Sequence, residues 1–294
     1  MIAEPARSED LPALLDLVAA ASAADGVGPV SEEGTLSLRS LGGTAPRGVH
    51  RVVRDPSGAP VGYAGIDERE PSAELVVHPD RRRSGAGRAL VEDVLAAVPG
   101  ARLWAHGDLP AARALAASAG LRPVRDLWQM RRPLQDRPPS RPMPAGLRLR
   151  PFVPGHDDEA WVAVNARAFA SHPEQGRMTT ADLRARMDEP WFEAAGLLLA
   201  VDGDDRVLGF HWTKVHPATG TQPALGEVYV VGVDPDAQGR GLGAALTGAG
   251  LDHLAGRGVD DVVLYVDGDN EAAVRTYRRQ GFERSMRDVQ LARG

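Results

Sequence analysis

The sequence predicts an α/β protein made of two tandem copies of one domain, each with a mixed sheet. Three observations indicate this fold. The chain of 294 residues suits two domains of roughly 100–200 residues each. The same order of helical and strand patterns occurs on both sides of a proline-rich segment. Two stretches of each half can also be aligned with the other half in the same order, which indicates duplication.

The proline-rich segment covers 133–146, is polar and shows no hydrophobic periodicity. Such a composition is typical of a stiff, solvated linker. We therefore expect a first domain at 1–132 and a second domain at 147–294.

Hydrophobic periodicity and turn residues place the same series of elements in both halves. In the first half the pattern predicts a helix at 11–24, strands at 50–54, 61–67 and 74–78, a helix at 88–98, a strand at 103, a helix at 111–118 and a strand from 124. In the second half it predicts helices at 157–169 and 181–187, strands at 196–202, 207–215 and 227–233, a helix at 241–255, a strand at 262–266, a helix at 270–280 and a final strand.

Two stretches set the register of the repeat without gaps. Residues 77–87 lie over 233–243, and residues 107–121 lie over 268–282. Because both matches occur in the same order along the chain, duplication explains them better than coincidence does.

The composition restricts the class of partner. The chain is 43% hydrophobic and has a formal charge of −6, which argues against a nucleic-acid partner because phosphates require a basic surface. No apolar run approaches the roughly 20 residues that cross a bilayer, and the first residues do not form a signal peptide. We expect a monomeric, cytoplasmic protein that binds neither nucleic acid nor membrane.

The chain contains no cysteine, which excludes disulfides, zinc–thiolate sites and a cysteine nucleophile. We expect no metal. Of the 34 basic residues, Lys214 is the only lysine. Because arginine and lysine differ in geometry and hydration, this position either requires a compact ammonium group or has kept its lysine by chance.

Three glycines of the second half, Gly239, Gly241 and Gly243, follow a predicted strand and begin a predicted helix. Glycine allows tight turns in which successive backbone N–H groups converge on an anion at the helix N-terminus. The spacing matches neither a Rossmann loop nor a P-loop. It resembles instead the pyrophosphate-binding Gln/Arg-x-x-Gly-x-Gly loop of the GNAT acetyltransferase superfamily, and the first half has the same pattern at 82–87.

The resemblance to this superfamily implies a complete site for acetyl-CoA. The strand before the loop, at 231–233, would pair through its backbone with the pantetheine arm. Gly232 would mark a bulge where this strand splays, and an ordinary glycine in a core strand is the alternative. Asn270 begins the helix beside the thioester, and it is also a favourable N-cap residue.

Acetylation of an amine requires a base for the ammonium proton and an acid for the leaving thiolate. Glu227 begins the strand beside the thioester, and strand alternation places Glu227, Tyr229 and Val231 on one face. Glu227 is therefore the candidate base, and the phenol of Tyr277 is the candidate acid. The alternatives are a surface glutamate at the start of a strand and a tyrosine of the core.

The first copy has neither group at the equivalent places. In register, Glu227 lies over Pro71, Asn270 over Leu109, and Tyr277 over Ala116. Glu70 is one residue away and would point to the opposite face. We predict one active domain and one domain that binds CoA, or once did, without reacting.

Four segments, at 25–32, 168–176, 210–214 and 226–233, extend the resemblance beyond the general superfamily pattern. With them the chain resembles, over essentially its whole length, the mycothiol synthases, a family of tandem GNAT enzymes. These enzymes acetylate the cysteinyl amine of cysteinyl-glucosaminyl-inositol and use acetyl-CoA as co-substrate. The resemblance implies that this chain is an N-acetyltransferase of the same class.

The resemblance also implies a set of site residues. Those that would contact the thiol precursor are Glu32, Glu174, Lys214, Glu227 and Tyr265. Those that would bind CoA in the second domain are Val231, Gly232, Val233, Gln238, Gly239, Arg240, Gly241, Leu242, Gly243, Ala244, Asn270, Glu271, Ala272, Ala273, Val274 and Arg275. Those that would bind a second CoA in the first domain are Leu75, Val76, Val77, Arg83, Ser84, Gly85, Ala86, Gly87 and Arg88.

Two other functions stay open on the sequence. One is an acetyltransferase for a different small amine, such as an antibiotic or a polyamine. The other is a non-catalytic acyl-CoA sensor, in which both domains bind and neither reacts. A hydroxyl-rich substrate of neutral to positive charge suits three carboxylates and one ammonium group as hydrogen-bond partners, which favours the thiol precursor.

Overall fold

The structure is a computed structural model that describes residues 1–68, 70–135, 139–170, 172, 175–218 and 223–294, without the side chain of Ala272. The chain divides into two compact units. The first comprises Met1–Trp128, Asp267–Asp269 and Met286–Gly294, and the second comprises Gln129–Val266 and Asn270–Ser285. Within the described ranges, no helix is long and apolar enough to cross a bilayer.

Strands and helices alternate along the described chain. The strands are β1 (Ala3–Pro5), β2 (Val49–Arg54), β3 (Pro60–Asp67), β4 (Ser72–Val77), β5 (Arg102–Ala105), β6 (Leu121–Pro133), β7 (Arg148–Pro151), β8 (Leu197–Val201), β9 (Val207–His216), β10 (Leu225–Val233), β11 (Asp261–Asp267) and β12 (Glu283–Arg293). The α-helices are α1 (Leu11–Asp25), α2 (Glu32–Ser40), α3 (Ala86–Ala97), α4 (Pro110–Ser118), α5 (Asp158–Ala168), α6 (Thr180–Met187), α7 (Leu242–Gly256) and α8 (Glu271–Arg279).

The sheet of the first unit has the strand order β1-β2-β3-β4-β5-β12. Its strands are antiparallel except for the parallel pair β4–β5. Val289 and Leu291 of β12 are buried in the same hydrophobic cluster as Leu90 and Val94 of α3. The last strand of the chain therefore completes the core of the first unit, because its apolar face is buried there.

This arrangement differs from the contiguous division expected from the sequence, in which each half closes with its own last strand. The domain boundaries at 132 and 147 stay a prediction of where the first duplicated segment ends and the second begins. The compact units cross these boundaries, since Met286–Gly294 belongs to the first unit and Gln129 onward to the second. A sequence repeat predicts which kinds of strand pair with one another. It does not predict whether a given strand comes from the first copy or from the second.

The sheet of the second unit runs through β11, β10, β9, β8 and β7. Only the β10–β11 pair among these is parallel. One face of the sheet packs Phe210 and Trp212 against Trp161 of α5. The other face packs against Leu242 and Leu246 of α7. Both faces are thus covered by helices, as the alternation of β and α patterns predicts.

Most predicted elements occur at or within a few residues of their expected bounds. Three short elements were not predicted, namely β1, α2 and β7. The two strands are only three and four residues long, and α2 buries a single residue, Leu38, so none shows a clear hydrophobic period. A cap holds α2 instead, because the Ser31 side chain accepts a hydrogen bond from the Gly34 N–H.

Candidate active site

The parallel strands β10 and β11 separate partway along β10. They pair from Leu225 to Val228, whereas β10 stays paired with β9 as far as Val233. Both strands are fully described, so the edge of β10 beyond Val228 has no recorded partner on β11. An edge of this kind can hydrogen-bond an extended, amide-bearing ligand as another strand would.

The bulge in β10 is not at Gly232, and that prediction is wrong. The pairing with β9 shifts between Val228 and Val230, so Tyr229 is the extra residue. Gly232 has a different role, because a Cβ there would lie 2.8 Å from the Phe210 ring and 3.2 Å from that of Phe169. Those separations are shorter than van der Waals contact, so the close packing of two aromatic rings requires glycine.

The bulge also changes which side chains share a face. Tyr229 packs with Trp212 and Trp191, whereas Val231 packs with the cluster on the α7 side. The prediction that Val231 lies on the same face as Glu227 and Tyr229 is therefore wrong, because an extra residue shifts the alternation downstream of the bulge.

Glu227 and Lys214 lie directly opposite each other on β10 and β9, and opposite residues of an antiparallel pair share a face. The Lys214 Nζ lies 5.3 Å from the Tyr229 ring centroid and 4.3 Å from that of Trp191. A buried carboxylate, an ammonium group and two aromatic rings therefore occupy one face of the strand pair.

The counterpart of Glu227 in the first copy is Ser72 rather than Pro71. Glu227 pairs with Val263 on β11. The alignment that matches Gly107 with Gly268 also matches Arg102 with Val263. Arg102 on β5 pairs in turn with Ser72 on β4. The gapless alignment fails by one residue upstream of the bulge because β10 contains an extra residue and β4 does not.

The two copies still differ in chemistry at this position. Ser72 offers a hydroxyl group where the second copy has the Glu227 carboxylate. At the position of Tyr277 the first copy has Ala116, which is buried. The first copy thus has no proton acceptor or donor of comparable strength at either place.

Glu227 is 7% exposed. Its Oε2 atom lies 2.6 Å from Nε2 of His216, the last residue of β9. Sequence reasoning did not include His216 among the site residues. The available signal was its spacing, because residues 214 and 216 of one strand point to the same face.

Tyr277 lies on α8, half-buried, with its ring 5.9 Å from that of Phe282. Burial raises the pKa of its phenol, because a low dielectric disfavours the phenolate. The phenol therefore keeps its proton at neutral pH and can serve as a donor. Asn270 caps the same helix, since its side chain accepts a hydrogen bond from the Ala273 N–H at 3.1 Å.

The loop before α7 has a backbone that only glycine adopts easily. Gly239 and Gly241 have φ of +77° and +81°, and a Cβ at either position would meet nothing within 4 Å. The glycines are therefore needed for conformation rather than for space. Gly241 is the N-cap of α7, so the unpaired N–H groups of the first helical turn open toward the loop, as an anion requires.

The loop before α3 in the first unit has the same conformation. Gly85 has φ of +93° and occupies the position of Gly241. Arg83 occupies the position of Gly239 and also has a positive φ, +64°, a region that costs a non-glycine residue free energy. Two side chains hold this loop, since Arg82 donates two hydrogen bonds to Asp25, at 2.8 and 2.7 Å.

The strand before the first loop also separates from its neighbour. β4 pairs with β5 as far as Glu74 and with β3 as far as Val77. The residues expected to bind a second CoA, 75–77 and 83–88, therefore lie on a free strand edge and at the following helix start, as their counterparts in the second unit do.

The residues expected to contact the thiol precursor have different surroundings. Tyr265 on β11 is 44% exposed, and its hydroxyl accepts a hydrogen bond from Gln129 at 2.9 Å. Glu32 lies in the first turn of α2, in the first unit. Glu174 lies outside the described residues. A shared contact of these residues with one substrate stays a prediction.

Arg167 on α5 is a further site residue that sequence reasoning missed. It donates two hydrogen bonds to the buried Asp234, both at 2.9 Å, directly before the glycine loop. The hydrogen bonds from Arg167 outweigh burial and lower the pKa of Asp234. Asp234 therefore stays ionised and accepts a hydrogen bond from the Asp236 N–H at 2.9 Å, which fixes the entry to the loop.

Two loops that can hold a pyrophosphate, each beside a free strand edge, define an acyl-CoA-dependent transferase with a duplicated domain. Comparison of sequences agrees: residues 28–120 and 161–282 match the acetyltransferase (GNAT) family. The chain belongs to this family, as its glycine loops predict.

More specific relatives are proteins named mycothiol acetyltransferase. The one from Salinispora arenicola is 56% identical over 277 residues, which cover 92% of this chain and 89% of the relative. The one from Kytococcus sedentarius is 52% identical over 288 residues, which cover 96% and 93%. The resemblance to tandem GNAT enzymes of mycothiol synthesis is confirmed by these matches.

Solved structures show the same fold. A GCN5-related N-acetyltransferase from Sphaerobacter thermophilus superposes with a TM-score of 0.67 and 29% identity, over 99% of this chain and 94% of the other. A tandem GNAT protein from the clavulanic acid biosynthesis pathway gives a TM-score of 0.68 at 24% identity, over 99% and 98%. The second match shows the shared fold alone.

Proposed function

We propose that the second unit acetylates the cysteinyl amine of cysteinyl-glucosaminyl-inositol with acetyl-CoA and so forms mycothiol. The observation that carries this proposal is the buried carboxylate of Glu227. It lies opposite Lys214 on β10, the strand that separates from β11, and it has no carboxylate counterpart in the first copy. The relatives named mycothiol acetyltransferase support the choice of substrate.

The proposed reaction removes two protons from the substrate nitrogen and gives one to the departing sulfur. Acetyl-CoA supplies an activated acyl group when it is bound. Glu227 accepts a proton from the substrate ammonium, whose pKa of roughly 7.7–8 requires only a modest base. The amine nitrogen then forms a bond to the acyl carbon as the carbon–sulfur bond breaks. Tyr277 gives its phenolic proton to the departing sulfur, and the second proton that the nitrogen loses as the amide forms passes through solvent and restores the phenol.

The glycine loop and the strand edge fit a CoA molecule. The N–H groups at the start of α7 would bind the pyrophosphate. Backbone groups of 231–233 would pair with the pantetheine arm. Both features rest on the backbone, so they position the co-substrate without a side chain that could compete for the acyl group.

The test is incubation of the purified protein with acetyl-CoA and cysteinyl-glucosaminyl-inositol, followed by mass spectrometry and thiol release. We expect a singly acetylated product and one free CoA per product. Parallel incubations with a polyamine and an aminoglycoside test the second candidate class. Preferential acetylation of either would contradict the proposed substrate, and bound but unconsumed acetyl-CoA with every amine would indicate a sensor.

Lys214→Arg is expected to raise KM for the thiol precursor roughly tenfold or more, since one hydrogen bond to a charged group is worth at least that factor. The guanidinium can still stack on Trp191, but its planar fork cannot present donors where a compact ammonium does. Steady-state kinetics with each substrate varied in turn would show the effect, with KM for acetyl-CoA little changed.

Lys214→Met is the companion variant, since it removes the charge at similar length and should cost at least as much. Wild-type kinetics in Lys214→Arg would mean that the position requires only a cation and that its lysine was kept by chance.

Gly85→Val is expected to remove one acetyl-CoA site and to leave turnover largely intact. Its φ of +93° is strained for a β-branched residue, so the loop backbone would lose its anion-binding form. Titration calorimetry should find two acetyl-CoA molecules per wild-type chain and one per variant chain.

Gly241→Val is the matched control for this prediction, and it should lose the other site together with activity. A single acetyl-CoA per wild-type chain would mean that the first loop no longer binds CoA and that its glycines serve only the fold.

A further inference from the structure

The hydrogen bond between His216 and Glu227 takes part in none of the proton transfers of the proposed reaction. The Nε2···Oε2 distance is 2.6 Å, and the His216 side chain is 41% exposed while that of Glu227 is 9% exposed. A histidine at the rim of the sheet thus holds one oxygen of a carboxylate that is almost closed off from water.

The sheet register places His216 beside the working side of Glu227. His216 lies opposite Leu225, and Lys214 lies opposite Glu227. Both side chains of β9 therefore share the face of Glu227. The hydrogen bond runs diagonally across the strand pair, a separation that long side chains can span.

The other charged groups near this face have partners of their own. On β11, Asp261 lies opposite Leu225 and forms an ion pair with Arg131 at 2.7 Å. Arg186 of α6 donates a hydrogen bond to the Tyr229 hydroxyl at 2.9 Å. The Lys214 ammonium lies over the Trp191 ring. His216 is the group for which a direct hydrogen bond to Glu227 is recorded.

We infer that His216 is a positioning residue for the proposed base. Its Nε2–H donates to Oε2 of Glu227, which fixes the carboxylate rotamer and leaves Oε1 to accept the proton of the substrate ammonium. This inference rests on the proposed role of Glu227.

His216→Leu is expected to lower kcat roughly 10- to 100-fold at neutral pH, the effect of losing one hydrogen bond to a charged group. KM for acetyl-CoA should stay unchanged. A purely structural role would instead lower the free energy of unfolding or raise KM for acetyl-CoA together with the loss of kcat.

His216→Gln is the conservative variant, since its amide nitrogen can reach the position of Nε2 and donate to the same oxygen. It should recover most of kcat. Wild-type kcat in His216→Leu, or equal loss in the glutamine and leucine variants, would overturn the inference.

The combination with Glu227→Gln separates this inference from the proposed function. Adding His216→Leu to Glu227→Gln should cost no further activity, because the positioned group is already gone and coupled residues are not additive. If Glu227→Gln alone kept wild-type turnover, the proposed base would be wrong. If Glu227→Gln were inactive and His216→Leu unaffected, only the positioning role would be wrong.

Discussion

Glu227→Gln is expected to lower turnover roughly 10²–10⁴-fold at neutral pH, the usual contribution of a general base. The amide has nearly the same shape, and its oxygen can still accept a hydrogen bond from His216, but it cannot take a proton. Acetyl-CoA binding should stay nearly intact, because the CoA contacts are assigned to the backbone of 231–233 and the glycine loop. Steady-state turnover and titration calorimetry measure the two quantities.

Glu193→Gln is the matched control, since this carboxylate of the same unit forms an exposed ion pair with Arg257 at 3.2 Å. Exposed pairs contribute little, so the variant should behave as wild type. Turnover unchanged in Glu227→Gln at saturating substrate would remove Glu227 from the mechanism.

Combining Glu227→Gln with Tyr277→Phe tests whether acetylation occurs only in the second copy. This double variant should lose nearly all acetylation, because the first copy offers Ser72 and Ala116 at the equivalent places. Appreciable acetylation in it would mean that the first copy is active.

His106 is expected to be the most sensitive single position for stability in the first unit. Its Nε2 lies 2.9 Å from Glu74 and its Nδ1 lies 3.1 Å from Asp288, and its side chain is 11% exposed. Burial opposes the charged form, but the hydrogen bonds to Asp288 and Glu74 outweigh it and raise the pKa of His106 to about 10. A buried imidazolium thus joins β4, β12 and the segment after β5.

His106→Leu should lower the free energy of unfolding by about 3–5 kcal/mol, because two buried carboxylates lose the cation between them. The wild-type contribution should be fully present below the unfolded pKa of roughly 6.5. It should decline as pH rises toward the folded pKa of about 10, since the unfolded chain releases this proton first. Urea denaturation across this pH range, followed by tryptophan fluorescence, measures both the loss and the slope.

His156→Gln provides the comparison for this experiment. The His156 side chain is 69% exposed beside Asp157, so its removal should change stability little and leave the alkaline slope unchanged. An alkaline slope that persists in His106→Leu would contradict the assignment of that slope to His106.

Local sequence was sufficient for the features that depend on the backbone over a few residues. Gly85, Gly239 and Gly241 have the positive φ that their pattern predicts, because few other residues adopt it without cost. The duplicated order of elements was also predictable, since hydrophobic period and turn residues specify the type of each element. These features point to the CoA site and to the GNAT family.

The identity of the candidate base was predictable from the sequence, although its environment was not. Comparison of the two copies singles out the Glu227 carboxylate, even when the alignment of the copies is wrong by one residue. Because of the bulge at Tyr229, the counterpart of Glu227 in the first copy is Ser72, and Val231 lies on the other face of the sheet. A bulge inserts one residue without a distinct sequence signal, so alternation alone could not place it.

Contacts between residues far apart in the chain needed the tertiary structure. The apolar face of β12 is buried among α3 residues, and the sequence alone does not specify which copy a strand completes. His106 meets Asp288 across 182 positions, and His216 meets Glu227 through the register of two strands. The sequence by itself determined the fold class, the loops and the chemistry of the candidate residues. Only packing and strand register decided which partners hold those residues, because both depend on long-range contacts that no local pattern specifies.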